Sequence, residues 1–243
     1  IDYTVLYRKL KELDTLKDDF ISMASHELRT PLTSIRGYTE LLEEKGEITS
    51  PEGKEFLRRI GHSAQELDQL VADMLDVSRI EQGRMSFKME VVYPHEIARA
   101  VVESLHFKAR DKNLTLTEKY DENVLISADP ARLRQILINL IGNAVKYTKE
   151  GEVAVRIYKE NKRAIIRVSD TGIGLTFDEQ KNLFEKFYRA SGEDTQREIG
   201  TGLGLWITKQ LVEGMGGTIS VESIKGVGSH FILSFPLIAS EKE

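Results

Sequence analysis

The stretch Ser25-His26-Glu27-Leu28-Arg29-Thr30-Pro31-Leu32-Thr33 decides how the amino-terminal part of the chain is interpreted. Helical periodicity places Thr30 on the same helix face as His26, about one turn further on. Glu27 lies roughly 100° around the helix and therefore flanks the imidazole. Pro31 has no N–H group, so the carbonyl of Glu27 loses its helical partner and the helix is predicted to bend there. A proline inside a helix costs about 3 kcal/mol, so its presence requires a reason.

A single histidine on a kinked helix is most often an ordinary surface residue. Here a histidine, a neighbouring acid, a threonine and a proline occur together, and a nucleotide-site pattern follows later in the same chain. This combination favours a chemical role for His26.

Composition narrows the class of protein. The 243 residues are 40% apolar and 30% charged, which is typical of a globular chain of one or two domains. A net charge of −5 argues against nucleic acid as a partner, and the lack of cysteine excludes disulfides and thiolate metal sites. No apolar run is long enough to span a membrane. The chain begins with Ile1, so we expect a cytoplasmic fragment of a longer protein; a membrane anchor in that protein stays open.

The first third of the chain predicts two long helices. An apolar stripe runs through residues 1–44, and a second one through 51–82, where Ser50 and Pro51 start the helix and Gly83 ends it. Two helices bury too little apolar surface to stand alone, so we expect two hairpins to dimerise into a four-helix bundle with His26 on its outside. For residues 1–20 alone, the same stripe favours a plain coiled-coil stalk.

The rest of the chain mixes strands and helices. Strands are predicted over 85–92, 114–117, 124–127, 152–159, 163–169, 218–223 and 230–237, and helices over 94–111, 129–146, 178–187 and 203–215. This order predicts an α/β sandwich.

Four motifs in this half carry residues suited to a nucleotide. In the helix over 129–146, Asn139 and Asn143 lie four apart on one face, where amide oxygens can hold Mg²⁺ or its waters. Lys146 can reach a phosphate, and Tyr147 can lie against a purine ring. The alternative is a set of ordinary polar residues on a helix surface.

The other three motifs follow in order. Asp170 ends a strand and can accept a hydrogen bond from the amine of adenine, while Gly172 and Gly174 let the backbone approach the base; an ordinary Asp-Gly turn is the alternative. Arg189, after Phe184 and Phe187, is a candidate for charge on the γ-phosphate. The last motif opens a helix whose N–H groups suit an anion. It consists of Gly200, Thr201, Gly202, Leu203, Gly204 and Leu205.

Together these motifs resemble the N, G1, F and G2 boxes of sensor histidine kinases, and residues 25–33 resemble their phosphoacceptor box. The resemblance implies a HisKA dimerisation and phosphoacceptor domain followed by a HATPase_c catalytic domain with the Bergerat ATP-binding fold. Its boundaries here are a linker helix over 1–20, a dimerisation domain over 21–83 and a catalytic domain over 84–243, with residues 186–202 as the lid over ATP.

The resemblance also implies a mechanism. The chain uses ATP to phosphorylate its own His26, assisted by Glu27, while Asn143, helped by Asn139, holds Mg²⁺. The phosphoryl group then passes to an aspartate of a response-regulator receiver domain. Thr30 fits the pattern of members that also dephosphorylate their regulator, although it also suits helix geometry before a proline. Asp2-Tyr3-Thr4 is similar to the exit sequence of PAS-type domains, which implies an upstream sensor domain.

Two other functions are compatible with parts of the pattern. One is an ATP-hydrolysing switch, which shares the nucleotide motifs but has no use for the His26 segment. Hydrolytic members of the fold carry a glutamate where Asn139 stands, and an amide cannot accept a proton from water. The other is a helical scaffold without enzymatic activity, which leaves the nucleotide motifs unexplained.

Overall fold

The computed structural model describes residues 27–44, 48–190 and 201–238, and the chain divides into two compact units between Arg79 and Ile80. In the first unit, helix α1 covers 27–44 and helix α2 covers Pro51–Glu81. The helix assignment continues through Pro31, and the predicted bend stays a prediction. No helix in the described ranges is both long and apolar enough to cross a bilayer.

The two helices of the hairpin are joined by aromatic and charged contacts. Tyr38 of α1 stacks on Phe56 of α2 with ring centroids 5.7 Å apart, and Arg59 donates a hydrogen bond of 2.7 Å to the Tyr38 hydroxyl. Ser50 accepts a hydrogen bond of 3.0 Å from the N–H of Gly53, as expected of an N-cap. The predicted start of α2 is therefore confirmed.

The second unit contains a mixed five-stranded sheet with helices packed on one face. The strands are β1 Glu90–Val92, β2 Thr115–Tyr120, β3 Ile126–Ala128, β4 Glu152–Glu160, β5 Arg163–Asp170, β6 Thr218–Ile224 and β7 Gly228–Pro236. In the sheet, β2 pairs in parallel with β4, and all the other neighbours are antiparallel, in the order β2-β4-β5-β7-β6. A separate two-stranded ribbon pairs β1 with β3.

The helices of this unit are α3 Pro94–Asp111, α4 Pro130–Tyr147, α5 Phe177–Asn182 and α6 Gly204–Gly214. Helix α4 is central because it contacts α3, α6 and the middle strands. It buries Leu133, Ile136, Leu137, Leu140 and Ile141 completely. The predicted fold, a helical hairpin followed by an α/β sandwich, is confirmed.

Two predicted elements are shorter in the structure. The strand predicted over 85–92 forms only at Glu90–Val92, because the backbone N–H of Lys88 donates 2.9 Å to the Asp129 carboxylate instead of entering a sheet. The helix predicted over 178–187 ends at Asn182. Phe187 takes a positive φ of 65°, which a right-handed helix excludes.

Candidate nucleotide site

Helix α4 is anchored at its start by Asp129. This carboxylate accepts hydrogen bonds of 3.0 Å from the N–H of Ala131 and 3.1 Å from that of Arg132, and Pro130 occupies the first turn. Burial alone would raise the pKa of Asp129, but backbone hydrogen bonds from Lys88, Arg132 and Ala131 outweigh it and lower the pKa. The charged cap therefore holds the start of the helix that carries the amide pair.

The two asparagines of α4 form a chain of hydrogen bonds that continues into α6. Asn139 donates 2.8 Å from Nδ2 to the hydroxyl of Thr208, and its Oδ1 accepts a bond of 3.3 Å from Nδ2 of Asn143. The amide of Asn139 is thus engaged at both ends. The Oδ1 atom of Asn143 accepts no hydrogen bond from any residue that the structure describes. It is the oxygen of this pair that is available to a hard cation.

The loop after β5 folds back onto the end of α4. The N–H of Ile173 donates 3.3 Å to the carbonyl of Tyr147, and the N–H of Gly172 donates 2.9 Å to Oδ1 of Asp170. A Cβ on Gly172 would lie 2.5 Å from the Tyr147 carbonyl oxygen, which only glycine avoids. Asp170, the loop and Tyr147 therefore form one packed group.

Asp170 is almost fully buried, with 8% of its surface exposed. Burial raises the pKa of this carboxyl, and backbone hydrogen bonds from Gly172 and Ser229 offset the effect only in part. A buried carboxylate that is held in place and poorly solvated is a strong acceptor for a ligand amine.

The turn between β6 and β7 forms hydrogen bonds with the loop after β5 from the other side. Gly226 donates 2.8 Å to the carbonyl of Ile173, and Leu175 donates 2.8 Å to the hydroxyl of Ser223. Gly174 has a φ of +58°, and a Cβ there would lie 2.0 Å from the Ile224 carbonyl oxygen. The loop is therefore fixed between α4 and this turn.

Glu179 in α5 makes a further contact with the β6–β7 turn. Glu179 closes a capping box with Thr176, and Lys225 of the turn lies 3.2 Å from its carboxylate. Burial would raise the pKa of Glu179, but the hydrogen bonds from Thr176 and Lys225 lower it overall. This Glu179–Lys225 pair was not among the residues singled out from the sequence.

The glycine-rich motif begins α6 beside the amide pair. Leu203 is fully buried and stands at the N-cap without a side-chain cap. A Cβ on Gly204 would lie 2.8 Å from Oδ1 of Asn139. Gly202 has a φ of +68° and approaches the backbone of Phe187, so this glycine joins the third motif to the fourth.

The remaining predicted residues that the structure describes are partly or fully exposed. Lys146 lies 5.3 Å from the ring of Tyr147, both partly exposed at the end of α4. Arg189 is exposed, and Thr201 and Leu205 are partly exposed. On α1, Glu27 is partly exposed and Thr30 exposed. His26, Gly200 and most of the expected lid lie outside the described residues.

Sequence reasoning missed several residues that hold the site. Thr208 lies one turn into α6 and has no signal of its own, because a buried threonine in a helix is common. The Thr-x-x-Glu spacing of Thr176 and Glu179 is a capping-box signal that could have been found. Nothing local points to Lys225, which lies 46 residues from its partner.

Comparison with known proteins agrees with this geometry. Residues 128–239 match the family described as histidine kinase-, DNA gyrase B- and HSP90-like ATPase, and residues 16–83 match the His Kinase A (phospho-acceptor) domain. The second unit is thus a nucleotide-binding domain of the ATPase class that these three kinds of protein share.

Relatives of the whole chain narrow the class. The chain is 42% identical over 226 residues to the circadian input-output histidine kinase CikA of Synechococcus elongatus, across 90% of this chain and 30% of that protein. It is 37% identical over 244 residues to sensor protein GacS of Pseudomonas syringae pv. syringae, across 98% of this chain and 27% of that protein. This chain therefore belongs to the sensor histidine kinases and spans less than a third of these two relatives.

A solved structure supports the same assignment. Full-length ShkA in complex with AMPPNP superimposes with a TM-score of 0.67 at 29% identity, over 92% of this chain and 46% of that one. The resemblance read from the motifs is confirmed.

Proposed function

We propose that this chain uses ATP to phosphorylate its own His26 and then passes the phosphoryl group to an aspartate on a response-regulator receiver domain. The observation that carries the proposal is the amide of Asn139, which is engaged by Thr208 and Asn143. It offers no base for activating water. A side-chain acceptor is therefore favoured over hydrolysis, and the phospho-acceptor domain of the same chain supplies one.

The transfer step is an in-line displacement at the γ-phosphorus of ATP. The Nε2 atom of His26 forms the new N–P bond, and the bond from phosphorus to the β–γ bridging oxygen breaks, so that ADP leaves with the electron pair. Glu27 accepts the Nδ1 proton or holds it in a hydrogen bond, which makes the imidazole a better nucleophile.

The nucleotide would be held by the groups already described. Asp170 accepts from the adenine amine, Tyr147 packs on the ring, and Gly172 and Gly174 keep the loop close to the base. The residues over 200–205 offer N–H groups to the phosphates. Lys146 and Arg189 offset the charge of the transferring group.

Asn143 would hold Mg²⁺ through its unengaged Oδ1, and Asn139 would position that amide rather than bind the ion itself. The bound ion would neutralise phosphate charge. The help that the sequence suggested from Asn139 would thus be positioning of the Asn143 amide.

We further propose that the hairpin works as a homodimer. Several apolar side chains of the first unit are exposed to solvent, and pairing two hairpins into a four-helix bundle would bury them. They are Leu32, Leu41, Leu57, Val71 and Leu75. Chemical cross-linking or a mass measurement in solution would test this proposal. Finding only the monomer at micromolar concentration would contradict it.

We assign the domain boundaries and the role of Thr30 by analogy with other sensor histidine kinases. Residues 1–20 would be a signalling helix from an upstream sensor domain, 21–83 the dimerisation and phosphotransfer domain, and 84–243 the catalytic domain. Thr30 would orient water for dephosphorylation of the regulator. Replacement of Thr30 by alanine should then abolish regulator dephosphorylation and leave His26 labelling intact.

Incubation with ATP labelled at the γ-phosphate tests the central proposal. We expect protein-bound label that is labile to acid and stable to base, and that is lost in both His26→Gln and Asn143→Ala. Free phosphate without labelled protein would favour the ATP-hydrolysing switch instead. Mixed dimers with His26→Gln in one protomer and Asn143→Ala in the other separate the two directions of transfer, because label appears only if one protomer phosphorylates its partner.

A further inference from the structure

The face of the sheet opposite the helices carries a row of three cations. Lys119 of β2 is paired with Arg156 of β4, and Arg156 is paired with Arg167 of β5. Neighbouring strands lie about 4.8 Å apart, and like charges directly opposite each other destabilise a sheet. In a chain of net charge −5, such a row is a local concentration of positive charge.

The neighbouring acids neutralise this row only in part. Arg167 makes an ion pair of 2.6 Å with Glu222, yet its Nε atom is buried without a hydrogen-bond partner within the described part of the chain. Neither Lys119 nor Arg156 makes an ion pair with any described residue. Asp121 lies nearby and accepts a hydrogen bond of 3.0 Å from the N–H of Asn123. Lys119 and Arg156 therefore have no counter-charge among the described residues.

These groups line a groove rather than a flat surface. Its volume is about 350 Å³, within the range of pockets that hold small molecules. Tyr158, half-buried beside Arg156 on the same face, supplies an aromatic wall. The full lining is Lys119, Tyr120, Asp121, Arg156, Ile157, Tyr158 and Arg167.

The groove is separate from the nucleotide site. Side chains alternate between the two faces of a strand, so Arg167 and Asp170, three residues apart on β5, point to opposite faces. Ile166 and Val168, on the same face as Asp170, are fully buried. A ligand in the groove would therefore lie across the sheet from ATP.

We infer that this groove binds a small phosphate-bearing molecule. Its phosphate oxygens accept hydrogen bonds from Arg156 and Lys119, because guanidinium and ammonium groups are strong donors to phosphate, and the neighbouring Arg167 adds positive charge. Its uncharged part packs against Tyr158. The inference does not depend on the proposed kinase reaction.

Inorganic pyrophosphate is a suitable probe, used with the whole chain in a buffer containing EDTA so that no divalent ion recruits it to the ATP cleft. Amide and arginine Nε–H resonances are followed by NMR during the titration. We expect shifts at residues 119–121, 156–158 and the Nε–H of Arg167. Arg156→Ala should weaken binding about tenfold, the size of one charge-assisted hydrogen bond, and Lys119→Ala should weaken it several-fold.

The matched control is Lys159→Ala, which removes the same charge from an exposed position three residues along β4 and on the opposite face. The affinity of Lys159→Ala for pyrophosphate should stay within about twofold of that of the parent chain, because a distant, exposed charge is largely screened by salt. Thermal midpoints verify that all three variants fold. If Arg156→Ala and Lys159→Ala lost the same affinity for pyrophosphate, binding would reflect only diffuse charge attraction, and the inference would be overturned. Shifts confined to residues 139–147 and 170–174, or no shifts, would also overturn the inference.

Discussion

The fit of Gly174 against the β6–β7 turn allows one sharp prediction about stability. Replacing Gly174 by alanine places a Cβ 2.0 Å from the Ile224 carbonyl oxygen, at least 1 Å closer than folded proteins tolerate. The turn must move, and the hydrogen bonds from Gly226 to Ile173 and from Leu175 to Ser223 lengthen with it.

The magnitude has two parts. A non-glycine residue in the left-handed region costs about 1–2 kcal/mol. Loss of the two hydrogen bonds adds roughly 1–3 kcal/mol, since each contributes about 0.5–1.5 kcal/mol. We therefore expect Gly174→Ala to destabilise the second unit by about 2–5 kcal/mol, which for a unit of this size lowers its thermal midpoint by roughly 5–15 °C.

Two other glycines separate these contributions. Gly216 has a φ of +77° with nothing within 4 Å of the position that a Cβ would take, so Gly216→Ala reports the backbone cost alone. Gly172 does not have a positive φ but meets the Tyr147 carbonyl oxygen at 2.5 Å, so Gly172→Ala reports the clash alone. Differential scanning calorimetry without nucleotide compares the three. If Gly174→Ala and Gly216→Ala lower the midpoint equally, the turn does not constrain the loop and the reasoning fails.

Three further predictions concern buried polar groups. Burial raises the pKa of Asp73 to about 6, so the stability from this group is present at low pH and is lost as the pH rises through about 6; Asp73→Asn should raise the thermal midpoint at pH 8 and not at pH 4. Burial also raises the pKa of Asp170, so Asp170→Asn should stabilise the nucleotide-free protein at pH 7 while weakening ATP binding at least tenfold, measured by calorimetry; weaker ATP binding without a gain in stability would contradict the pKa argument. Thr208→Val removes the hydrogen-bond partner of Asn139 and should lower stability by about 1–2 kcal/mol and ATP affinity several-fold. Thr208→Ser keeps the hydroxyl and should retain both. If Thr208→Val changed neither quantity, the amide pair would need no support from Thr208.

Local signals in the sequence predicted two helices of the second unit well. Helix α3 has the predicted bounds, and α4 differs from its prediction by one residue at each end, because Asp129 and Pro130 mark its start in the chain itself. The strand predicted over 85–92 was too long, because alternation alone cannot reveal that the N–H of Lys88 bonds to Asp129, 41 residues away.

In the candidate site, too, features formed by residues close in sequence were predicted, and contacts between distant residues were not. The amide pair and the glycine-rich motif were found because their members are close in sequence. The partners that orient them were not, since Thr208 lies 69 residues from Asn139 and Ser223 lies 48 from Leu175. Such contacts depend on how the strands are ordered in the sheet, which short-range patterns do not encode.

The grip of the β6–β7 turn on the loop after β5 has a practical consequence for protein engineering. Gly226 and Val227 form an exposed hairpin tip, the kind of position usually chosen for inserting a tag or a fluorophore. Here the tip donates a hydrogen bond to Ile173 and carries the lysine that holds Glu179. A label placed at this solvent-facing tip would therefore disturb the loop after β5, which carries Asp170, Gly172 and Gly174.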